Sequence, residues 1–224
     1  MTCLSADRAP SGSTLPGVSP ERRWWHNVLR VLTRPGDVFE QLRERSSEDR
    51  DARQEPALLI VLVAGTAGVL MTPVAGGLLD EPEYDALLIA VWAFIGGIFY
   101  GAAIYLLGGV ALWLAARGMG STDDWRLARH ILAFSAVPVA ASLVVVLPIR
   151  LLAFGGDIFR SGGADGGAAG ALLSGARLLF VAWSVGLLLV GLRTVYRFSW
   201  PRAAGALALV VLFGAAIAAI PSVL

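Results

Sequence analysis

Long apolar runs dominate the chain from residue 56 onward. Five blocks cover residues 56–79, 86–116, 131–154, 178–192 and 203–224, with short polar stretches between them. A helix needs roughly 20 residues to cross a hydrocarbon core of about 30 Å, and each block with its flanks can supply them. The pattern therefore predicts an all-α fold, a polytopic transmembrane helical bundle of about five spans over residues 56–224.

The second block is longer than a perpendicular crossing requires. Residues 86–116 make either one long helix or a tight hairpin of two spans. Between Phe94 and Tyr105 no proline or charged residue marks a turn. We therefore predict one long, tilted helix.

The N-terminal quarter has a different pattern. Residues 1–19 mix Ser, Gly, Pro and Ala without hydrophobic periodicity, which predicts a disordered tail. Residues 20–55 predict two short amphipathic helices and a charged linker, with a break at Pro35 and Gly36. Tryptophan and arginine favour the headgroup region. The residues predicted at the membrane interface are Arg22, Arg23, Trp24, Trp25 and Arg30. Packing of these helices on the cytoplasmic ends of the bundle explains the pattern equally well.

Charge placement predicts the orientation of the bundle. Arginines crowd the segment before the first block, whereas the loop of residues 80–85 has four acidic residues and no basic one. Short cytoplasmic loops are enriched in basic residues. We therefore expect a cytoplasmic N-terminus and an outer C-terminus. The outer loop of residues 155–175 is rich in Gly and Ala and is predicted to be mobile.

Composition agrees with a membrane protein. Hydrophobic residues make up 56% of the chain and charged residues 16%, with a mean hydropathy of +0.69. Soluble domains have about 25% charged residues. The net charge of +1 gives no indication of a nucleic-acid partner, so membrane lipids are the partner that composition predicts.

Catalytic and metal-binding sets are sparse. The sequence contains one cysteine and two histidines, which predicts no metal site, no cofactor and no enzymatic activity. His130 lies five residues before Ser135, off its helical face. An intramembrane hydrolase built on this pair is a third hypothesis, and it requires the two side chains to lie within hydrogen-bond reach.

Small residues four positions apart indicate close helix packing. The residues predicted to pack are Ala64, Gly68, Gly97, Gly101 and Gly108. A transport pathway is the alternative use of the bundle, because a kinked third span could move. The cavity residues that this alternative predicts are Tyr100, Tyr105, Ser135, Pro138 and Trp183.

The order of these features resembles the Yip1-domain family, in particular its bacterial members. The resemblance rests on the tryptophan-bearing segment 24–29, followed by Pro35 and the Phe39/Leu42 pair, and on the end of the second span at residues 113–120. It also rests on the stretch 133–138 and on residues 191–193 before the turn at 199–203. It implies a five-span membrane protein that acts by interaction and can self-associate. The N-terminal tail is short and the eukaryotic signature between the second and third spans is absent, so Rab binding is not carried over.

Two functions follow as expectations. The first is a non-enzymatic scaffold of the bacterial inner membrane that organises the membrane or its partners, as a homo-oligomer or with other membrane proteins. The second is a transporter or channel for a lipid-like or small apolar solute. A tightly filled bundle would argue against the second.

Overall fold

The structure is a computed structural model, and it describes residues 20–44, 54–72 and 74–219. These residues form α-helices joined by short turns, with no strand among them. The α-helices are α1 (Pro20–Thr33), α2 (Pro35–Glu44), α3 (Gln54–Val69), α4 (Ala86–Ala103), α5 (Gly109–Gly118), α6 (Trp125–Ser135), α7 (Val137–Phe154), α8 (Ala168–Val195) and α9 (Trp200–Ala219). The all-α class predicted from the sequence is confirmed. The predicted disordered tail and most of the charged linker lie outside the described residues.

Three helical segments of the described chain are long and apolar enough to cross a membrane. They are Ala86–Gly118, Trp125–Phe159 and Ala168–Val195, of 33, 35 and 28 residues. Two apolar helices are shorter, Pro56–Val69 and Trp200–Phe213. The architecture is that of an all-α membrane bundle.

The first apolar block does not form one continuous span. Helix α3 ends at Val69, and a 3₁₀ helix follows at Ala75–Asp80. Gly76 and Gly77 and the proline at position 73 in the sequence disfavour a longer α-helix at this point. The α-helical part of the block, Pro56–Val69, is therefore 14 residues long and rises about 21 Å.

The second block is one helical path, as predicted. Helix α4 continues into a π-helical segment at Ile104–Gly108 and then into α5. A π segment has a wider turn than an α-helix and often occurs at functional positions.

The third and fourth spans begin earlier than their apolar blocks. Helix α6 starts at Trp125, and α7 follows after a break at Ala136. Pro138 is the second residue of α7, where its missing N–H is not needed. Helix α8 starts at Ala168, so residues 168–175 are helical and do not belong to a loop as expected. Alanine and leucine, both strong helix formers, outweigh the glycines there.

Helices α1 and α2 pack on one end of the bundle, here called the cap end. Val31 of α1 and Phe39 and Leu42 of α2 join a buried cluster with Ile131 of α6 and Leu192 of α8. Of the two interpretations of the amphipathic pattern, packing on the bundle accounts for these apolar faces.

The opposite end, here called the loop end, is formed by three 3₁₀ helices at Ala75–Asp80, Gly155–Phe159 and Ala164–Gly166. The Ser161 backbone N–H donates to Asp80 Oδ1 at 3.0 Å and so joins two of the loops. Hydrogen bonds from Ser161, first the side chain and then the backbone, lower the pKa of Asp80 below its usual value.

Candidate membrane-interface site

Arginine and tryptophan side chains pair at the cap end. The Arg117 guanidinium lies 5.0 Å from the ring centroid of Trp113 on α5, and that of Arg193 lies 4.6 Å from Trp200 on α9. Such contacts hold a guanidinium over an indole face. Both residue types favour the headgroup region of a bilayer. The pairs therefore indicate where this end of the bundle meets the membrane surface.

A third pair is buried. The Arg129 guanidinium lies 3.7 Å from the Trp125 ring centroid and 5.2 Å from that of Tyr105. Arg129 is only 6% exposed, and its stem passes so close to Gly109 that a Cβ there would lie 2.5 Å from Arg129 Cγ. No carboxylate within the described residues forms an ion pair with Arg129. Aromatic faces and packing thus hold this cation.

The α1–α2 pair is fixed to the bundle by packing and by polar contacts. The Phe39 ring is fully buried and lies 3.1 Å from the position that a Cβ would take at Gly191. Arg43 Nη1 donates to the Thr194 carbonyl at 3.5 Å. A side chain at position 191 would therefore push α2 away from α8.

The predicted interface residues are only partly described. Arg22, Arg23, Trp24 and Trp25 belong to helix α1, but their side chains lie outside the described part of the structure. Arg30 is 43% exposed at its side chain and lies 3.5 Å from Asp37, with which it forms an ion pair. Their role at the interface stays a prediction.

The predicted packing glycines lie mainly where α3 crosses α4. A Cβ at Gly101 would lie 2.7 Å from the Val61 carbonyl oxygen and 2.8 Å from Leu62 Cα. Gly97 faces Thr66 equally closely. The partner on α3 is Gly65, where a Cβ would lie 2.5 Å from Gly101 N. Backbone meets backbone at this crossing, as small residues allow in membrane bundles.

The other predicted packing residues have separate surroundings. Ala64 is buried at 8% exposure, and a Cβ at Gly68 would lie 2.8 Å from Cε1 of the Tyr100 ring. A Cβ at Gly108 would lie 3.2 Å from Leu132 Cδ2 of α6. All of these contacts lie within one chain, so they describe the bundle and give no information about its oligomers.

A groove of about 400 Å³ lies among α3, α4, α6, α7 and α8, and it is called here the serine groove. Tyr100 and Ser135 line it, as does Ser184, whose buried Oγ has no hydrogen-bond partner within the described residues. Tyr105 and Pro138 are buried in the bundle and Trp183 is 52% exposed elsewhere, so none of the three lines this groove.

His130 and Ser135 each hydrogen-bond to their own helix. His130 Nδ1 lies 3.0 Å from the Arg126 carbonyl oxygen, and Ser135 Oγ donates to the Ile131 carbonyl at 2.7 Å. No hydrogen bond between described residues joins the two, and none of the described residues form a group of three metal-binding side chains. The arrangement lacks the base-to-nucleophile contact of a hydrolase.

Sequence reasoning missed the arginine–tryptophan pairs. Trp113 precedes Arg117 by four residues, and Trp125 precedes Arg129 by four, a spacing that places both members on one helix face. This signal could have revealed two pairs. The third joins Arg193 to Trp200 across the turn between α8 and α9, which no helical spacing could have indicated.

The fold and the interface belong to a polytopic α-helical membrane protein. A family model described as Yip1 domain matches residues 29–220, which is most of the chain. The chain belongs to the Yip1-domain family, and the resemblance drawn from the sequence is confirmed. No curated protein and no solved structure matches it.

Proposed function

We propose that this integral membrane protein is a non-enzymatic scaffold that organises partners at the cytoplasmic surface of the bacterial inner membrane. The observation behind the proposal is the docked α1–α2 pair. Its apolar face is buried in the same cluster as α6 and α8, so its outer face keeps a fixed position relative to the spans. A fixed surface at the membrane is what a scaffold needs.

The outer face of α1 offers an apolar contact. Leu29 is 68% exposed, whereas Val31, two residues along the same helix, is fully buried. A large exposed aliphatic side chain beside arginines suits either the headgroup region or a helix of a second protein. The proposed partners are a second copy of this chain or other membrane proteins.

Energy transfer between labelled copies tests the scaffold. Cys3 is the single cysteine, so maleimide dyes label one position per chain. In liposomes we expect energy transfer that rises with the protein-to-lipid ratio and falls in Leu29→Glu. Thr33→Glu, which adds the same charge at an exposed position of α1, is the control. If no energy transfer occurs, and a photo-crosslinker at position 29 reaches only lipid in native membranes, the scaffold proposal is wrong.

The proposed orientation places the cap end in the cytoplasm. This end carries Arg117, Arg129 and Arg193, whereas the four acidic residues of the loop 80–85 lie at the loop end. An impermeant maleimide should label Cys3 only after cell lysis. A Cys3→Ser, Ala164→Cys variant should be labelled in intact spheroplasts. The reverse pattern would overturn the orientation.

The serine groove supports a second candidate function, transport of a lipid-like or small apolar solute. The open groove of about 400 Å³ between the helices is the observation that supports this candidate. Reconstituted protein should then accelerate movement of a fluorescent lipid between leaflets, and Ser184→Trp should block it. Equal rates in protein-free vesicles would exclude this function.

A further inference from the structure

Two arginines meet at the loop end around a small cavity, here called the arginine pocket. Arg150 comes from the last turns of α7 and Arg177 from α8, and both line a cavity of about 20 Å³ between α3, α7 and α8. A space of this size holds one water-sized group. Cations from two different spans therefore point into one opening.

The charges in the arginine pocket do not cancel. Arg150 forms an ion pair with Asp165 of the 3₁₀ helix Ala164–Gly166, and its side chain is only 11% exposed. Arg177 Nη2 donates to the Leu70 carbonyl at 3.1 Å, a neutral group just beyond α3. The buried Arg150 Nε has no hydrogen-bond partner within the described residues. Two positive charges and one negative charge leave an excess of one positive charge and a donor to satisfy.

An apolar groove adjoins the pocket. It has a volume of about 600 Å³ and runs between α3, α4 and α7 under the 3₁₀ helix Gly155–Phe159. Leu70, Leu143, Leu147 and Phe159 line both the groove and the arginine pocket. The wall is almost wholly aliphatic and aromatic, so the groove suits hydrocarbon.

We propose that the arginine pocket and the apolar groove together bind one anionic phospholipid. One phosphodiester oxygen enters the pocket and accepts hydrogen bonds from Arg150 and Arg177, the rest of the phosphate lies where the pocket meets the groove, and an acyl chain lies between α4 and α7. A phosphodiester carries one negative charge, which balances the excess positive charge. Guanidinium groups donate to phosphate oxygens in a fixed geometry and form strong charge-assisted bonds. The site lies at the opposite end from the proposed scaffold surface, so the two proposals stand independently.

Lipid binding to the full chain in detergent tests the proposal. With phosphatidylglycerol as the probe, native mass spectrometry should show one retained lipid per chain. Arg150→Gln and Arg177→Gln should each weaken binding about tenfold, as expected for the loss of one charge-assisted contact. Arg160→Gln, an exposed arginine of the same loop end, is the matched control and should bind like the native protein. Unchanged binding in both pocket variants would overturn the proposal.

Three further measurements distinguish lipid binding from a folding defect and from the binding of a free phosphate. Asp165→Asn removes the acidic group that pairs with Arg150 among the described residues, so it should strengthen lipid binding; a purely structural ion pair predicts no gain. Ala90→Trp should fill the exposed mouth of the groove and weaken lipid binding while both arginines remain. If glycerol phosphate stabilises the protein as strongly as phosphatidylglycerol and Ala90→Trp has no effect, the site takes a free phosphate and the lipid proposal is wrong.

Discussion

Replacing Gly101 by alanine tests the closeness of the α3–α4 crossing. The added methyl would lie 2.7 Å from the Val61 carbonyl oxygen and 2.8 Å from Leu62 Cα. Carbon atoms in good contact are about 3.5–4.0 Å apart, so the helices must separate by roughly 1 Å. Because both neighbours are backbone atoms of one helix, no side chain can rotate away to make room.

The expected cost follows from this geometry. Overpacking costs about 1–3 kcal/mol, and the upper value applies because the whole crossing must widen. Alanine in place of glycine returns about 1 kcal/mol of helix propensity. The net loss is about 2 kcal/mol of unfolding free energy, or about a 30-fold change in the unfolding equilibrium constant.

The assay is reversible unfolding in mixed micelles, with Gly186→Ala as the control. Gly186 lies inside α8, and a Cβ there would meet nothing within 4 Å. This variant should therefore be as stable as the native protein or slightly more stable. Equal stability of the two variants would refute a backbone-to-backbone crossing at Gly101.

Two other changes probe the two ends of the bundle. Phe39→Ala should lower the unfolding free energy by about 3–5 kcal/mol, because the ring is fully buried at the cap end. It should also expose α1 and α2 to limited proteolysis, and unchanged cleavage would show that other contacts hold these helices. At the loop end, the pKa of Asp80 is lower in the folded protein than its ordinary value of 3.8. The ionised carboxylate therefore stabilises the fold at pH values above 3.8, and this stabilisation is lost as the pH falls through the pKa of the folded protein. The melting temperature should therefore drop more between pH 5 and pH 2.5 in the native protein than in Asp80→Asn, and parallel curves would contradict this.

The sequence predicted features that depend on neighbours along one helix. The absence of a proline or charged residue between Phe94 and Tyr105 indicated that residues 86–116 form one helical path, and the paired glycines 97 and 101 indicated a small-residue face. The π-helical turn at Ile104–Gly108 was not predicted, because nothing in its residue types separates a π turn from an α turn. Helix α3 ends at Val69, ahead of the proline at position 73 and of Gly76 and Gly77, a signal that the apolar run to residue 79 concealed.

Features that join distant parts of the chain were also missed. Arg150, near the end of the third span, pairs with Asp165, which lies in a segment expected to be a mobile loop. The glycine-rich composition of this loop gave no sign that a 3₁₀ helix would place the Asp165 carboxylate next to Arg150 of α7. Likewise, Gly65, which meets Gly101, was not among the predicted packing residues, because the angle at which two helices cross decides which small residues touch.

The docking of α2 on α8 also sets an order of assembly during synthesis. Arg43 and Thr194, which join the two helices, are 151 residues apart in the chain. At about 5–20 residues per second, a ribosome takes roughly 8–30 s to cover that distance. The amphipathic N-terminal helices are thus made first, and their docking site stays incomplete until α8 is inserted, because it needs Leu192 of α8 as well as Ile131 of α6. A nascent chain paused before residue 187 should accordingly leave Phe39 open to a chaperone or to the membrane surface.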